Sequence, residues 1–152
     1  ISLAPNLIWS LMLVSVEEFI LSLQVARLST VTPSGAPHSV PICFALSGND
    51  TIYTPIDSKP KKDTSKPLER INNIANNDEV VVLFDKYSEN WDELAYVMAK
   101  GKAKVVSDEQ ENILAAKLLK DRYIQYRDQN YLPRGAMIIA IRVYDFMSWG
   151  NL

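Results

Sequence analysis

Between residues 57 and 70 the chain reads D-S-K-P-K-K-D-T-S-K-P-L-E-R, which places Lys59, Lys61, Lys62, Lys66 and Arg70 within twelve residues. Asp63 and Glu69 lie among these five cations, so the local net charge is +3. Thr64 and Ser65 add hydroxyls ahead of an expected helix start, where backbone N–H groups have no helical partner. Cations, hydroxyls and a helix N-terminus together suit an anion such as phosphate. Arg70, one turn into that helix, can offer two parallel N–H donors to phosphate oxygens. A solvated lysine-rich loop would account for the charge equally well. Position after a hairpin and before a helix favours phosphate, and with it a phosphorylated cofactor.

The other reactive side chains are sparse. His38 follows Pro37 in a turn with no cysteine or carboxylate close in sequence, which favours a structural role. Cys43, flanked by Ile42, Phe44 and Ala45, reads as a small buried residue in mid-strand. One cysteine excludes an intrachain disulfide and a cysteine-based zinc site, and a single histidine argues against a metalloenzyme. No G-x-S-x-G, G-x-G-x-x-G or P-loop pattern occurs among the five glycines. No acid–base pair stands out, and no side chain is nominated as catalytic. Tyr87, Trp91, Tyr96 and Trp149 flank expected strand ends, where they could pack a core, meet a second subunit or wall a planar ring.

These groups must be positioned by a chain of 152 residues, long enough for one domain with a real core. A hydrophobic content of 47%, with 22% charged residues, is that of an ordinary globular protein, and a net charge of −2 gives no general reason to bind nucleic acid. The apolar start at 1–16 is interrupted by Pro5, Asn6 and Ser10 and falls short of the ~20 residues a membrane span needs. It also lacks the basic start of a secretory signal. The expectation is a cytoplasmic protein without a membrane partner, with residues 1–11 an extension and 12–152 the domain.

Ser15-Val16-Glu17-Glu18 has capping-box spacing and predicts a helix over about 16–23. Strands follow at 25–32, 39–46 and 51–56, separated by the turns Pro33–Pro37 and Ser47–Asp50. Pro41 and Pro55 predict edge or bulged positions, because proline donates no ladder hydrogen bond. A helix opens at Pro67 and runs through Leu68, Ile71 and Ile74 to Asn76. Val80–Phe84 predicts a strand buried on both faces, and 95–106 a long strand with Gly101 as a bulge or close approach. The longest helical pattern spans 108–126 with Ile113, Leu114, Leu118 and Leu119 on its apolar side, and a strand at 137–146 closes the order. Short hairpins between strands favour an antiparallel sheet or small barrel.

Taken in order, V-A-R-L-S-T-V-T-P-S-G-A-P-H-S-V-P-I-C-F at 25–44, D-S-K-P-K-K at 57–62, L-E-R-I-N-N-I at 68–74, V-V-L-F-D-K-Y-S-E-N-W at 81–91 and S-W-G at 148–150 resemble a known family. The chain is similar to the FMN-binding split-barrel superfamily of pyridoxamine 5′-phosphate oxidase-like proteins, especially the branch named as deazaflavin (coenzyme F420)-dependent oxidoreductases. The resemblance covers about Met12 to Gly150. It implies a mainly β (α+β) fold: a six-stranded antiparallel split β-barrel with flanking helices, forming a homodimer with two cofactor sites at the interface. It implies phosphate binding by Lys59, Lys61, Lys62 and Arg70, and a ring lying near Val40, Pro41, Ile42, Thr54 and Pro55. Trp91 and Trp149 would be walls, the latter from the other subunit. The implied activity is hydride transfer between coenzyme F420, or FMN, and a small organic substrate; a carrier or sensor of the same fold is the non-enzymatic alternative. The chain end Y-D-F-M-S-W-G-N-L lacks the arginine-rich, histidine-containing pattern by which pyridoxamine phosphate oxidases hold their substrate.

Overall fold

The computed structural model describes residues 14–56 and 68–152. The proposed extension at 1–11 and the Pro67 helix start lie outside those residues. A helix at 14–21 (α1) leads into strands β1 (Ala26–Val31), β2 (Pro37–Ile42), β3 (Ala45–Ser47) and β4 (Thr51–Pro55). Helix α2 (Glu69–Asn76) and strands β5 (Glu79–Lys86) and β6 (Ala95–Val105) follow. Helices α3 (Glu109–Arg122) and α4 (Ile124–Asp128) then precede β7 (Ile138–Gly150). Among the described residues no helix is long and apolar enough to cross a membrane.

All seven strands form one sheet in the order β2-β1-β5-β6-β7-β4-β3, and every pairing is antiparallel. Six strands were expected; the seventh arises because the segment 39–46 changes partners midway. Residues 37–42 pair with β1, whereas 45–47 pair with β4. Only Cys43 and Phe44 separate the two halves, so Cys43 is a half-buried residue of a link and not of a strand centre. That link dictates the architecture. β2 and β3 are the two edges of the sheet, yet Ile42 and Ala45 are three Cα steps apart, at most about 11 Å. The sheet must therefore curl until its edges almost meet, giving a barrel split at that seam.

The curled sheet encloses Leu28, Ile42, Phe44, Ile52, Val82, Phe84, Val97, Ile139 and Ile141, with Phe19 and Ile20 of α1. A second cluster lies outside it, where Ala115 and Leu119 of α3 and Tyr126 of α4 meet Tyr53, Ile138 and Ala140. Pro41 lies on the edge strand β2, and Pro55 lies where β4 has outrun β3, so each proline sits where a ladder bond is missing on one side. Val80, Val82 and Phe84 are buried, but Val81 and Leu83 point outward and stay only half-covered. The β5 run is thus closed on one face in a single chain.

Two helix boundaries and one helix face differ from the sequence reading. Ser15 lies inside α1 and not at its cap. The 108–126 pattern breaks at Tyr123, whose backbone is extended (φ −121, ψ 114) because its side chain is drawn into tertiary bonds. Its hydroxyl accepts the Phe44 N–H (3.0 Å) and donates to the Gln24 carbonyl (2.8 Å). The inward face of α3 is formed by Ala115 and Leu119 with Leu118 half-covered, while Ile113 and Leu114 are exposed.

Gly101 is a close-approach point, as the sequence suggests. The β6–β7 register shifts between Lys100 and Gly101, so that Lys100 faces Asp145 while Gly101 faces Val143. A methyl group at Gly101 would stand 2.7 Å from the Arg142 carbonyl oxygen and 2.9 Å from Ile141 Cγ2. Backbone cannot yield as a side-chain tip can, so Gly101→Ala should destabilise the fold by about 1–3 kcal/mol in urea unfolding.

Candidate functional site

Lys59, Lys61 and Lys62, with Thr64, Ser65 and Lys66, lie outside the described residues. What the structure does describe is where the cationic loop arrives. Helix α2 begins at Glu69, and the residue in its N-cap position, Leu68, supplies no side-chain hydrogen bond to the first turn. Arg70 is half-buried, its Nε enclosed. It shares a helix face with Ile74 four residues on, and Ile74 belongs to the barrel interior. Ile71, Val40 and Ile56 pack against the same interior cluster. Helix α2 therefore packs on the barrel interior beside β1 and β6.

Side chains alternate across a strand, which splits the five residues expected along a ring. Val40 and Ile42 face the interior, and Thr54 points the same way as Ile52. Pro41 and Pro55 face the opposite side of their strands. Thr54 is 1% exposed, and its hydroxyl has no hydrogen-bond partner among the described residues. A buried hydroxyl left unpaired costs about 1–3 kcal/mol.

The two tryptophans stand elsewhere. Trp91 opens a single 3₁₀ turn, Trp91–Glu93, and is 74% exposed. Trp149 is 53% exposed and stacks on Tyr96 of β6, ring centroids 5.8 Å apart at 19°. Thr54 pairs with Ile139 near the start of β7, ten residues before Trp149. At the strand rise per residue that separation is roughly 30 Å. Val40, Ile42 and Thr54 thus share the inward face of the sheet and Arg70 lies on α2 beside Ile74, whereas Trp91 and Trp149 stand at exposed positions.

Trp149 and Tyr96 belong to a broad outer face. Register places Pro41, Arg27, Leu83, Met98 and Met147 in one row across β2, β1, β5, β6 and β7, with Tyr96 and Trp149 in the next row. Met147 is 45% exposed and Met98 half-covered. It is a sheet face with an apolar stripe and no covering layer among the described residues.

Three polar contacts have no signal in the sequence because their partners are far apart along the chain. Glu69 Oε2 lies 3.2 Å from Nε2 of His38, which supplies the carboxylate neighbour that sequence proximity had not. Asn73, fully buried, donates from Nδ2 to Thr30 Oγ1 at 2.9 Å. On the far side of the barrel Glu111 accepts from the Tyr53 hydroxyl (2.8 Å) and pairs with Arg142, whose Nη1 also reaches Thr51 Oγ1 (3.1 Å). Local spacing does mark the start of α3, where the Glu111 N–H donates to Asp108 Oδ2 at 2.8 Å.

The Glu111 group sets a pH dependence. Hydrogen bonds from Arg142, then from Tyr53, hold the Glu111 carboxyl below its ordinary value of 4.5. Burial, then the hydrogen bond to Glu111, raises the Tyr53 phenol above 10.0. A lowered carboxyl stabilises the fold fully above its unfolded value and loses that contribution as pH falls through the folded one. The raised phenol acts in reverse, contributing below 10.0 and losing as pH rises through the folded value. Thermal melts between about pH 7 and about pH 3 should show Glu111→Gln with a shallower acid loss than the native chain, since that loss begins near carboxylate values.

Comparison with known proteins follows the same geometry. A conserved hypothetical protein of Mycobacterium tuberculosis superposes with a TM-score of 0.70 at 19% identity, over 90% of this chain and 83% of that one. The heme storage protein HutZ of Vibrio cholerae gives 0.67 at 13% identity, over 90% and 92%. An FAD-binding protein of Mesorhizobium loti gives 0.59 at 18%, over 89% and 91%. Such identities establish a shared fold. Among curated proteins none matches the chain by sequence. The family model for pyridoxamine 5′-phosphate oxidase matches residues 14–147, nearly the whole described structure, and the chain belongs to that family.

Proposed function

We propose that this protein binds a phosphorylated flavin-type cofactor and serves as an oxidoreductase on a small organic substrate, working as a homodimer. The observation that carries the reading is the barrel end beneath α2. There the start of α2 has no side-chain cap from Leu68 and carries the half-buried Arg70, while Thr54 on β4 keeps a buried hydroxyl with no hydrogen-bond partner among the described residues. A helix N-terminus with an arginine on its first turn suits a phosphate. Lys59, Lys61 and Lys62 would add to it from the preceding loop. The exposed edge of β2 at Val40, Pro41 and Ile42 offers backbone N–H and C=O groups to the polar rim of a tricyclic ring.

The cofactor class is FMN or coenzyme F420, the deazaflavin that the sequence resemblance suggests. Each combines a phosphate with a flat ring and carries out hydride transfer itself when bound. The work left to the protein is placement and electrostatics. The dimer has its own support. The outer sheet face has an apolar stripe with no covering layer among the described residues, and Trp149 stands roughly 30 Å along β7 from the partner of Thr54, so a second copy would have to bring it to a ring there. Trp91 would join it from the same end of the sheet.

The test is a titration of purified protein with FMN, riboflavin and the deazaflavin coenzyme, followed by fluorescence. Micromolar or tighter binding of one phosphorylated cofactor supports the reading, and binding of none overturns it. Turnover of the reduced, bound form with an acceptor separates an enzyme from a carrier or sensor. Arg70→Ala should weaken binding of the phosphorylated cofactor by about 1.5–3 kcal/mol and leave riboflavin unaffected. An unchanged dissociation constant removes Arg70 from the site.

A further inference from the structure

Strand β4 stops pairing with β7 at Thr51, opposite Arg142, with one further bond from the Val143 N–H to the Asp50 carbonyl. Beyond that point β7 runs on to Gly150 with only β6 beside it among the described strands. A cavity of 210 Å³ remains between α1, the β3–β4 hairpin and this half of β7. Its apolar wall is Val16 and Ile20 of α1, Leu46 and Ile52 of the hairpin, and Phe146 of β7. All five belong to the interior cluster or pack against it, so the cavity opens into the side of the core. A space of about 150 Å³ with such a lining stays dry and takes a benzene ring. A whole cofactor needs more, about 300–1,000 Å³. None of the residues proposed above for the flavin lines it.

The mouth of this cavity carries one sign of charge. Glu17 of α1 and Asp50 of the hairpin, both exposed, line it, and no lysine, arginine or histidine does. Thr51 donates to Asp50 Oδ1 at 3.0 Å, and Arg142 reaches the same threonine hydroxyl at 3.1 Å. The other arm of Arg142 pairs with Glu111, so that guanidinium serves a different carboxylate. Among the described residues neither Glu17 nor Asp50 has a cationic partner. We propose that the cavity binds a small hydrophobic amine, with one ring or a short aliphatic chain inside and the protonated nitrogen held at the rim by Glu17 and Asp50. The apolar body gains by leaving water, while the ammonium keeps its hydration at the mouth. The two carboxylates choose the sign of the head group, because an anion there would meet two like charges. The proposal is independent of the cofactor reading.

The test uses the full chain and three probes that share a phenyl ring and a short chain: 2-phenylethylamine, 2-phenylethanol and 3-phenylpropionate. Affinities are read by calorimetry or NMR titration near neutral pH, where ligands of this size reach about 0.1–2 mM. The amine should bind about three- to tenfold tighter than the alcohol, the worth of two exposed ion pairs, and the acid should bind weakest. Glu17→Gln/Asp50→Asn should bring the amine down to the alcohol and leave the alcohol unchanged. Leu46→Trp, which fills the space, should abolish binding of both. If that variant does not fold, Val16→Trp fills the cavity from the helix side and carries the same expectation. Equal affinities for amine and alcohol in the native chain overturn the proposal, as does no binding at all. An amine preference that survives the double substitution overturns it too. So does binding that survives the filled cavity, since the ligand then sits elsewhere.

Discussion

Replacing Phe84 by alanine should cost about 3–5 kcal/mol in urea unfolding, the range for emptying an aromatic position in a closed core. Phe84 is fully buried on the inward face of β5 and meets Phe44 edge-on, centroids 5.0 Å apart at 74°. Phe44 is half of the two-residue link that joins the edges of the sheet, so the cavity would open beside the seam of the barrel. The site cannot collapse easily, because Val82 and Val97 belong to strands paired on both sides. Phe84→Leu, which keeps most of the volume, should lose clearly less than Phe84→Ala. Equal losses would show that the aromatic contact and the filled volume matter less than the burial suggests.

Arg122→Ala is expected to be the second large effect, about 2–4 kcal/mol. Arg122 closes the last turn of α3 and reaches back to α1, donating to the carbonyls of Leu21 and Leu23. These carbonyls lie where α1 ends, and a guanidinium there satisfies acceptors that the helix cannot. Its carbon also stands 4.6 Å from the Phe44 ring centroid, a cation over an aromatic face. One side chain thereby ties α1, α3 and the barrel seam. Arg122→Lys keeps the charge but loses the planar fork, and should recover only part of the loss. Because Arg122 and Phe84 both touch the Phe44 ring, the double variant Arg122→Ala/Phe84→Ala should lose less than the sum of the two singles. Strict additivity would show that Phe44 does not couple them.

The same ring shows how a local pattern and a tertiary fold divide the outcome. Alternation at 25–32 and 95–106 and the apolar run at 80–84 are local signals, and strands stand at each, with the expected turn joining β1 to β2. Pro41, Pro55 and Gly101 were legible for the same reason: a missing N–H or a missing Cβ restricts the backbone wherever the residue is placed. The split of 39–46 into β2 and β3 was not legible, since nothing in that alternation says that the two halves face different partners. The helix break at Tyr123 was hidden likewise, because a tyrosine fits a helix interior until its hydroxyl is claimed by Phe44 and Gln24. Ile113 and Leu114 misled for a related reason. Their periodicity is helical, but the face that α3 buries was chosen by the barrel wall it packs on.

For the site, sequence singled out the cationic segment and Arg70 in the helix that follows it, because charge and helix starts are properties of neighbouring residues, whereas Thr54 came from the family resemblance. Only the tertiary structure showed that Val40, Ile42 and Thr54 share an inward face, and that Pro41 and Pro55 do not. It also showed that Trp149 stands at the far end of β7 from Thr54, and that Glu69 is turned toward His38. These depend on how far a curled sheet carries residues that are distant in sequence, a length and a direction that local patterning does not encode.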